Sequence, residues 1–123
     1  MEANLNYWPV QIKLIPSNDP CLNNANLLIA ADCTAYAFSD FHCVFMKKRV
    51  TVIGCPKLDG CDYSEKLSEL FILNNIKSVT VVRMEVPCCK GIELAVKNAV
   101  KISGKLIPWK VLIITTKGDI VYD

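Results

Sequence analysis

Apolar residues in this chain come in short blocks, and their spacing switches repeatedly between that of strands and that of helices. Leu27 to Ala31 (LLIAA) is an uninterrupted apolar run, as expected of a strand covered on both faces. Val50 to Ile53 (VTVI) is β-branched throughout and stops at Gly54. Ser78 to Val86 (SVTVVRMEV) reads as a longer strand ended by Pro87. Lys110 to Thr115 and Ile120 to Tyr122, either side of Lys117-Gly118-Asp119, read as a strand turning into a short final one. Near the start, Val10 to Ile15 (VQIKLI) predicts a first strand closed by Pro16, and the turn formers of SNDPCLNNA predict a loop.

Between these runs the period lengthens. Thr34 to Met46 carries Phe38, Phe41 and Phe45 at helical spacing, and the cations of Lys47 to Arg49 suit a helix C-terminus. Tyr63, Leu67, Leu70 and Phe71 form one face of a predicted helix to Leu73. Asp62 and Glu65 form its capping box, and Asn74-Asn75 its left-handed terminator. Gly91 to Ser103 puts Ile92, Val96, Ala99 and Val100 on one side, with Gly104 at the C-cap position. Strands alternating with helices imply right-handed crossovers and a mostly parallel sheet. The expected fold is one α/β domain over 1–123: a three-layer sandwich on a sheet of four to five strands, of Rossmann or flavodoxin type.

Charge and composition narrow the function. A net charge of +2, with lysines scattered along the chain, offers no basic stripe for nucleic acid. No apolar run approaches the about 18 residues of a membrane span. MEANLNYW is polar and unlike a signal peptide, so a soluble cytoplasmic protein is expected. The 7 cysteines then become the candidate chemistry. An odd number, in a chain large enough to build its own core, argues against a disulfide framework and for metal binding or thiol chemistry.

Cys33, Cys55 and Cys88 each follow a predicted strand by two residues, and Cys89 comes next. In a parallel sheet all strand C-termini lie along one edge, so these four thiols are delivered to one place. Four thiolates suit an iron–sulfur cluster or a tetrahedral zinc ion, and a helix start after Cys88-Cys89 favours thiolate. Cys21, Cys43 and Cys61 are assigned plain packing roles. His42 beside Cys43 is a weaker ligand candidate, and Arg83 with Glu85 a weaker functional pair. No CxxC pair, GxGxxG, GxxxxGK[ST], HExxH or serine elbow occurs.

WPVQIKLIP, NANLLIAADCTAYAFSDFH, VIGCPKLD, EKLSE, NNIKSVTVVRMEVPCC and SGKLIP, spread from Tyr7 to Gly118, resemble a domain of anaerobic prokaryotes. That domain is usually seen as the C-terminal half of 4Fe-4S ferredoxin-type, iron–sulfur cluster-binding proteins. Cys33, Cys55, Cys88 and Cys89 fall on its motif positions, whereas Cys21, Cys43 and Cys61 do not. The ferredoxin module with its CxxCxxCxxxCP runs is missing from this sequence. The resemblance therefore implies an accessory domain in electron transfer that works beside a separate ferredoxin-like or other redox partner. Two other readings stand open: a dithiol oxidoreductase using Cys88 and Cys89, and a metal-free docking domain.

Overall fold

Five strands form the middle layer: β1 (Asn26–Ala31), β2 (Val50–Gly54), β3 (Ser78–Met84), β4 (Trp109–Ile114) and β5 (Ile120–Tyr122). These come from a computed structural model that describes residue 5 and residues 7–122, the side chains of Cys88 and Tyr122 apart. The sheet order is β2-β1-β3-β4-β5, parallel except where β5 runs back against β4. The α/β sandwich expected from the sequence is thus present. Helices α1 (Thr34–Ala37), α2 (Pro56–Asp59), α3 (Ser64–Leu73) and α4 (Lys90–Ser103) fill the crossovers.

Register assigns the faces. Leu27, Ile29 and Ala31 of β1 align with Val50, Val52 and Gly54, and Leu27 and Ile29 align with Val79 and Val81. Arg83 lies on this same face, where its Nε donates to Glu93 of α4 at 2.8 Å, so α3 and α4 cover it. Leu28, Ala30, Thr51, Ile53 and Val82 point to the opposite side, under α1 and the segment that follows it. β1 is paired on both sides, and every residue from Leu27 to Ala31 is buried. Leu67, Leu70 and Phe71 seal α3 onto the sheet, each side chain contributing about 1.5–3 kcal/mol.

Several local expectations need correction. Val10–Ile15 is no strand: only Gln11 bridges, to Ile53, and Ile15 N then donates to Gln11 O at 3.0 Å. Ile12 and Ile15 are buried while Lys13 and Leu14 are exposed, a turn's spacing that the apolar run disguises. The helix expected over Thr34–Met46 is broken. α1 ends where Phe38 turns extended (φ −112°, ψ 111°), and a π-helical turn, His42–Met46, resumes it. The break lets Phe38 and Phe41 both lie against Phe45, at 5.2 and 5.6 Å between ring centres.

The capping box expected of Asp62 and Glu65 is not what starts α3: Tyr63 holds the N-cap position without a side-chain cap, and Asp62 Oδ1 accepts from Ser64 N at 2.9 Å in the turn before it. Asn74 is extended (φ −125°, ψ 154°) rather than left-handed, and its Nδ2 donates to Leu70 O and Ser17 O instead. The termination of α3 is completed from a distance: Lys105 Nζ donates to the carbonyls of Phe71, Ile72 and Asn74. Gly104 is the left-handed C-cap of α4 as expected (φ 69°). Arg83 does not pair with Glu85. Glu85 accepts from Thr116 N and Oγ1, fixing the turn before β5.

Candidate functional site

The three strands that lead into cysteines are the three neighbours β2, β1 and β3. Their C-terminal ends therefore form a single stretch of one sheet edge. The connection from β1 runs outward to β2 on one side, and that from β2 passes back to β3 on the other. The chain reverses direction between β1 and β3, and this is the topological switch point where open α/β sheets leave a crevice. Cys33 lies on one flank of it and Cys88-Cys89 on the other.

The offsets are less uniform than the sequence suggests, because β3 stops at Met84 rather than Val86. Cys33 stands two residues past Ala31, Cys55 one past Gly54, and Cys88 and Cys89 four and five past Met84. Contacts nonetheless tie these segments together. Asp32 N donates to Gly54 O at 3.1 Å, placing the residue before Cys33 against the residue before Cys55. α2, which begins directly after Cys55, packs on the Pro87–Cys89 turn. A Cβ at Gly91 would meet Pro56 at 3.3 Å, so close packing of Cys55-Pro56 on the start of α4 favours glycine there.

Cys33, Cys55 and Cys89 each occupy the position just before a helix: α1, α2 and α4. Their exposures differ. Cys33 is exposed, Cys55 half-buried, and Cys89 is 5% exposed and part of the core. The side chain of Cys88 lies outside the described residues. As donors, four cysteines are chemically suited to an iron–sulfur cluster or a zinc ion. Among the described residues no three Cys, His, Asp or Glu side chains are grouped so as to hold a metal ion. Topology brings the segments that carry the four cysteines to one stretch of the sheet edge.

The packing roles given to the other cysteines hold only in part. Cys43 is exposed, its Sγ 3.4 Å from Asp40 O. Cys21 packs half-buried against the core, and burial pushes its thiol up to about 12, aided by Asp19, so it stays protonated at neutral pH. Cys61 also packs half-buried, and it lines an open groove with Pro56, Gly60, Asp62, Gly91 and Leu94, beside the segment carrying Cys88 and Cys89.

Three residues at this edge escape sequence reasoning. Tyr63 is buried, and its hydroxyl donates to Asp59 Oδ2. Burial first, and then this hydrogen bond and the Asp59 charge, raise the phenol well above its ordinary range. A Cβ at Gly54 would come within 2.7 Å of the Tyr63 oxygen, so the glycine before Cys55 makes room for that hydroxyl. Asp32 is partly buried; desolvation, then the nearby charge of Asp59, holds its carboxyl above the usual range. The edge therefore carries negative charge beside the thiols, which suits a cation better than an anion. A lone Asp after an apolar run gave no sign of this, since its partner Asp59 comes from another crossover.

Over residues 19–123 the sequence matches the family model described as a Rossmann-like domain. The chain belongs to the Rossmann-like domain family, in agreement with its parallel sheet and switch point. It is also similar to an uncharacterized protein of Archaeoglobus fulgidus. The two are 30% identical over 113 residues, which cover 92% of this chain and 80% of the relative. No solved structure matches the chain. Among the described residues, no helix is long and apolar enough to cross a membrane.

Proposed function

We propose that this Rossmann-like domain is a metal- or iron–sulfur-binding accessory protein in electron transfer, with Cys33, Cys55, Cys88 and Cys89 as its thiolate donors. The observation that carries this reading is the adjacency of β2, β1 and β3, whose exits deliver these cysteines to the switch-point edge. The resemblance of the cysteine motifs to the domain that follows ferredoxin modules supports it, and points to a ferredoxin-like partner. The partly buried carboxyl of Asp32 beside Asp59 adds a field that favours a cation. Because Cys33 is exposed and Cys89 buried, loading a metal requires the loops after β1 and β3 to draw their thiols together. The bound group would supply a redox couple if it is an iron–sulfur cluster, and a structural tie if it is zinc.

Purification without oxygen, followed by iron, zinc and acid-labile sulfide analysis, tests the proposal. Near-integral metal in the native protein, and a sharp loss in Cys55→Ser, is the expected result. Iron with sulfide selects the cluster; zinc alone selects the mononuclear site. Metal content that is negligible, or unchanged in Cys55→Ser, defeats the reading.

A further inference from the structure

Lysines that are scattered in the sequence gather on one face of α4. Lys90, Leu94, Lys97 and Lys101 follow one another at spacings of four, three and four, which puts them on a single stripe of the helix. All four are exposed, while Ile92, Ala95, Val96 and Ala99 turn the opposite side into the core. Ile102, 60% exposed, extends the row begun by Leu94 at 49%. An open groove runs between α4 and α2, lined by Pro56 and Gly60 on one bank and by Gly91, Leu94 and Asn98 on the other. On α2 itself Lys57 and Leu58 are exposed, Leu58 by 83%. α2 starts directly after Cys55 and α4 directly after Cys89, so this surface borders the thiol edge.

The positive charge here is unmatched within the chain. Among the described residues Lys57, Lys90, Lys97 and Lys101 make no ion pair. The acids nearby are engaged instead: Glu93 with Arg83, Asp59 with Tyr63, and Asp62, on the groove lining, with Ser64. Glu65 and Glu69 line a different hollow, with Lys13 and Lys66. Exposed aliphatic side chains ringed by charge have the make-up of a protein interface. Lysines without an arginine or an aromatic ring beside them suit nucleic acid poorly, because no side chain here stacks on a base. A membrane surface fits no better. α4 commits its apolar face, with Ile92, Val96 and Ala99 all 0% exposed, to the core and has none left to insert. The complement of this surface is a protein that brings carboxylates around an apolar patch.

We infer that the outer face of α4, with α2 beside it, is the docking surface for an acidic redox protein. Carboxylates of the partner meet Lys57, Lys90, Lys97 and Lys101, and its apolar centre covers Leu58 and Leu94. That the partner is a redox protein rests on the electron-transfer role proposed above; that it is acidic rests on these lysines alone. Encounters between redox proteins bury little area, below about 1,200 Å², so one helix face and the short helix beside it suffice.

The test titrates a small acidic 4Fe-4S ferredoxin into the full chain, without oxygen and at low salt, while amide signals are followed. Saturable changes centred on Leu58, Lys90, Leu94 and Lys97 are expected, and added salt weakens them. Reversing three charges together, in Lys90→Glu/Lys97→Glu/Lys101→Glu, lowers the affinity about tenfold. Leu94→Asp lowers it several-fold, and Lys47→Glu/Lys48→Glu, away from this face, leaves it at the native value. Cys55→Ser binds the ferredoxin as the native chain does, because no thiol takes part in the contact. The two proposals therefore fail separately: docking without metal defeats the thiol site alone, and metal without docking defeats this inference alone. The inference is overturned if the ferredoxin gives no saturable change, or if the changes lie elsewhere. It is also overturned if the Lys47 and Lys48 control loses as much as the triple variant. Binding of phosphatidylglycerol vesicles that the triple variant abolishes, with no binding of ferredoxin, assigns the face to a membrane and overturns it as well.

Discussion

One face of the sheet is covered by α3 and α4, lying side by side with unbroken helical spacing and an ion pair from Arg83 to Glu93. The other is covered by a helix of 4 residues and a π-helical turn, with an extended residue between them. The first layer closes completely around Leu67, Leu70 and Phe71, all 0% exposed. The second leaves a cavity between Phe41, Met46, Thr51 and Ile53. The difference comes from the chain itself. Ser39 and Asp40 are turn formers set inside a run of helix-spaced aromatics, and three phenylalanines converging on one another displace a regular helix. A closed layer resists change, whereas an open one gains from filling.

The largest expected effect breaks the closed layer. Phe71→Ala removes a fully buried ring from α3 and lowers stability by about 3–5 kcal/mol, read by urea unfolding. Next comes the close approach between layers: Gly54→Ala drives a methyl against Tyr63 and costs about 1–3 kcal/mol. Trimming the clashing atom in Gly54→Ala/Tyr63→Phe recovers part of that loss, so the two changes are not additive.

The open layer answers with the opposite sign. Thr51→Val deletes a buried hydroxyl that lacks a partner among the described residues, and raises stability by about 1 kcal/mol. A loss of similar size in the same melts would mean that the hydroxyl is satisfied in solution. Smallest is a pH effect at Asp32. Its folded pKa lies above the unfolded one, so the native state holds the proton more tightly and stability falls as pH rises through the raised value. Asp32→Asn removes this fall. It lies nearest the native protein at low pH and above it at neutral pH. The difference between the two melting-temperature curves against pH reads this directly.

The alternation of strand and helix periods was enough to find β1 to β5, α3 and α4, since each of these buries a regular stripe. It was enough, too, to bring Cys33, Cys55, Cys88 and Cys89 to one edge, because parallel crossovers impose that edge whatever the strand order. What escaped depends on contacts between distant segments. Val10–Ile15 has strand-like composition but buries Ile12 and Ile15 as a turn does. Lys105 finishes α3 from 31 residues or more away. Asp32 gains its raised pKa from burial and from Asp59, and Gly54 owes its identity to Tyr63. The depth of Cys89 was equally hidden, since a cysteine before a helix can face either the solvent or the core.

The central claim is that thiols from three neighbouring crossovers act on one metal. X-ray absorption at the edge of the metal retained after purification without oxygen addresses it directly, with Cys89→Ser measured beside the native protein. The account predicts a first shell of four sulfurs at about 2.3 Å, reduced by one sulfur in Cys89→Ser. A shell dominated by oxygen and nitrogen, one unchanged by the substitution, or no retained metal would contradict it.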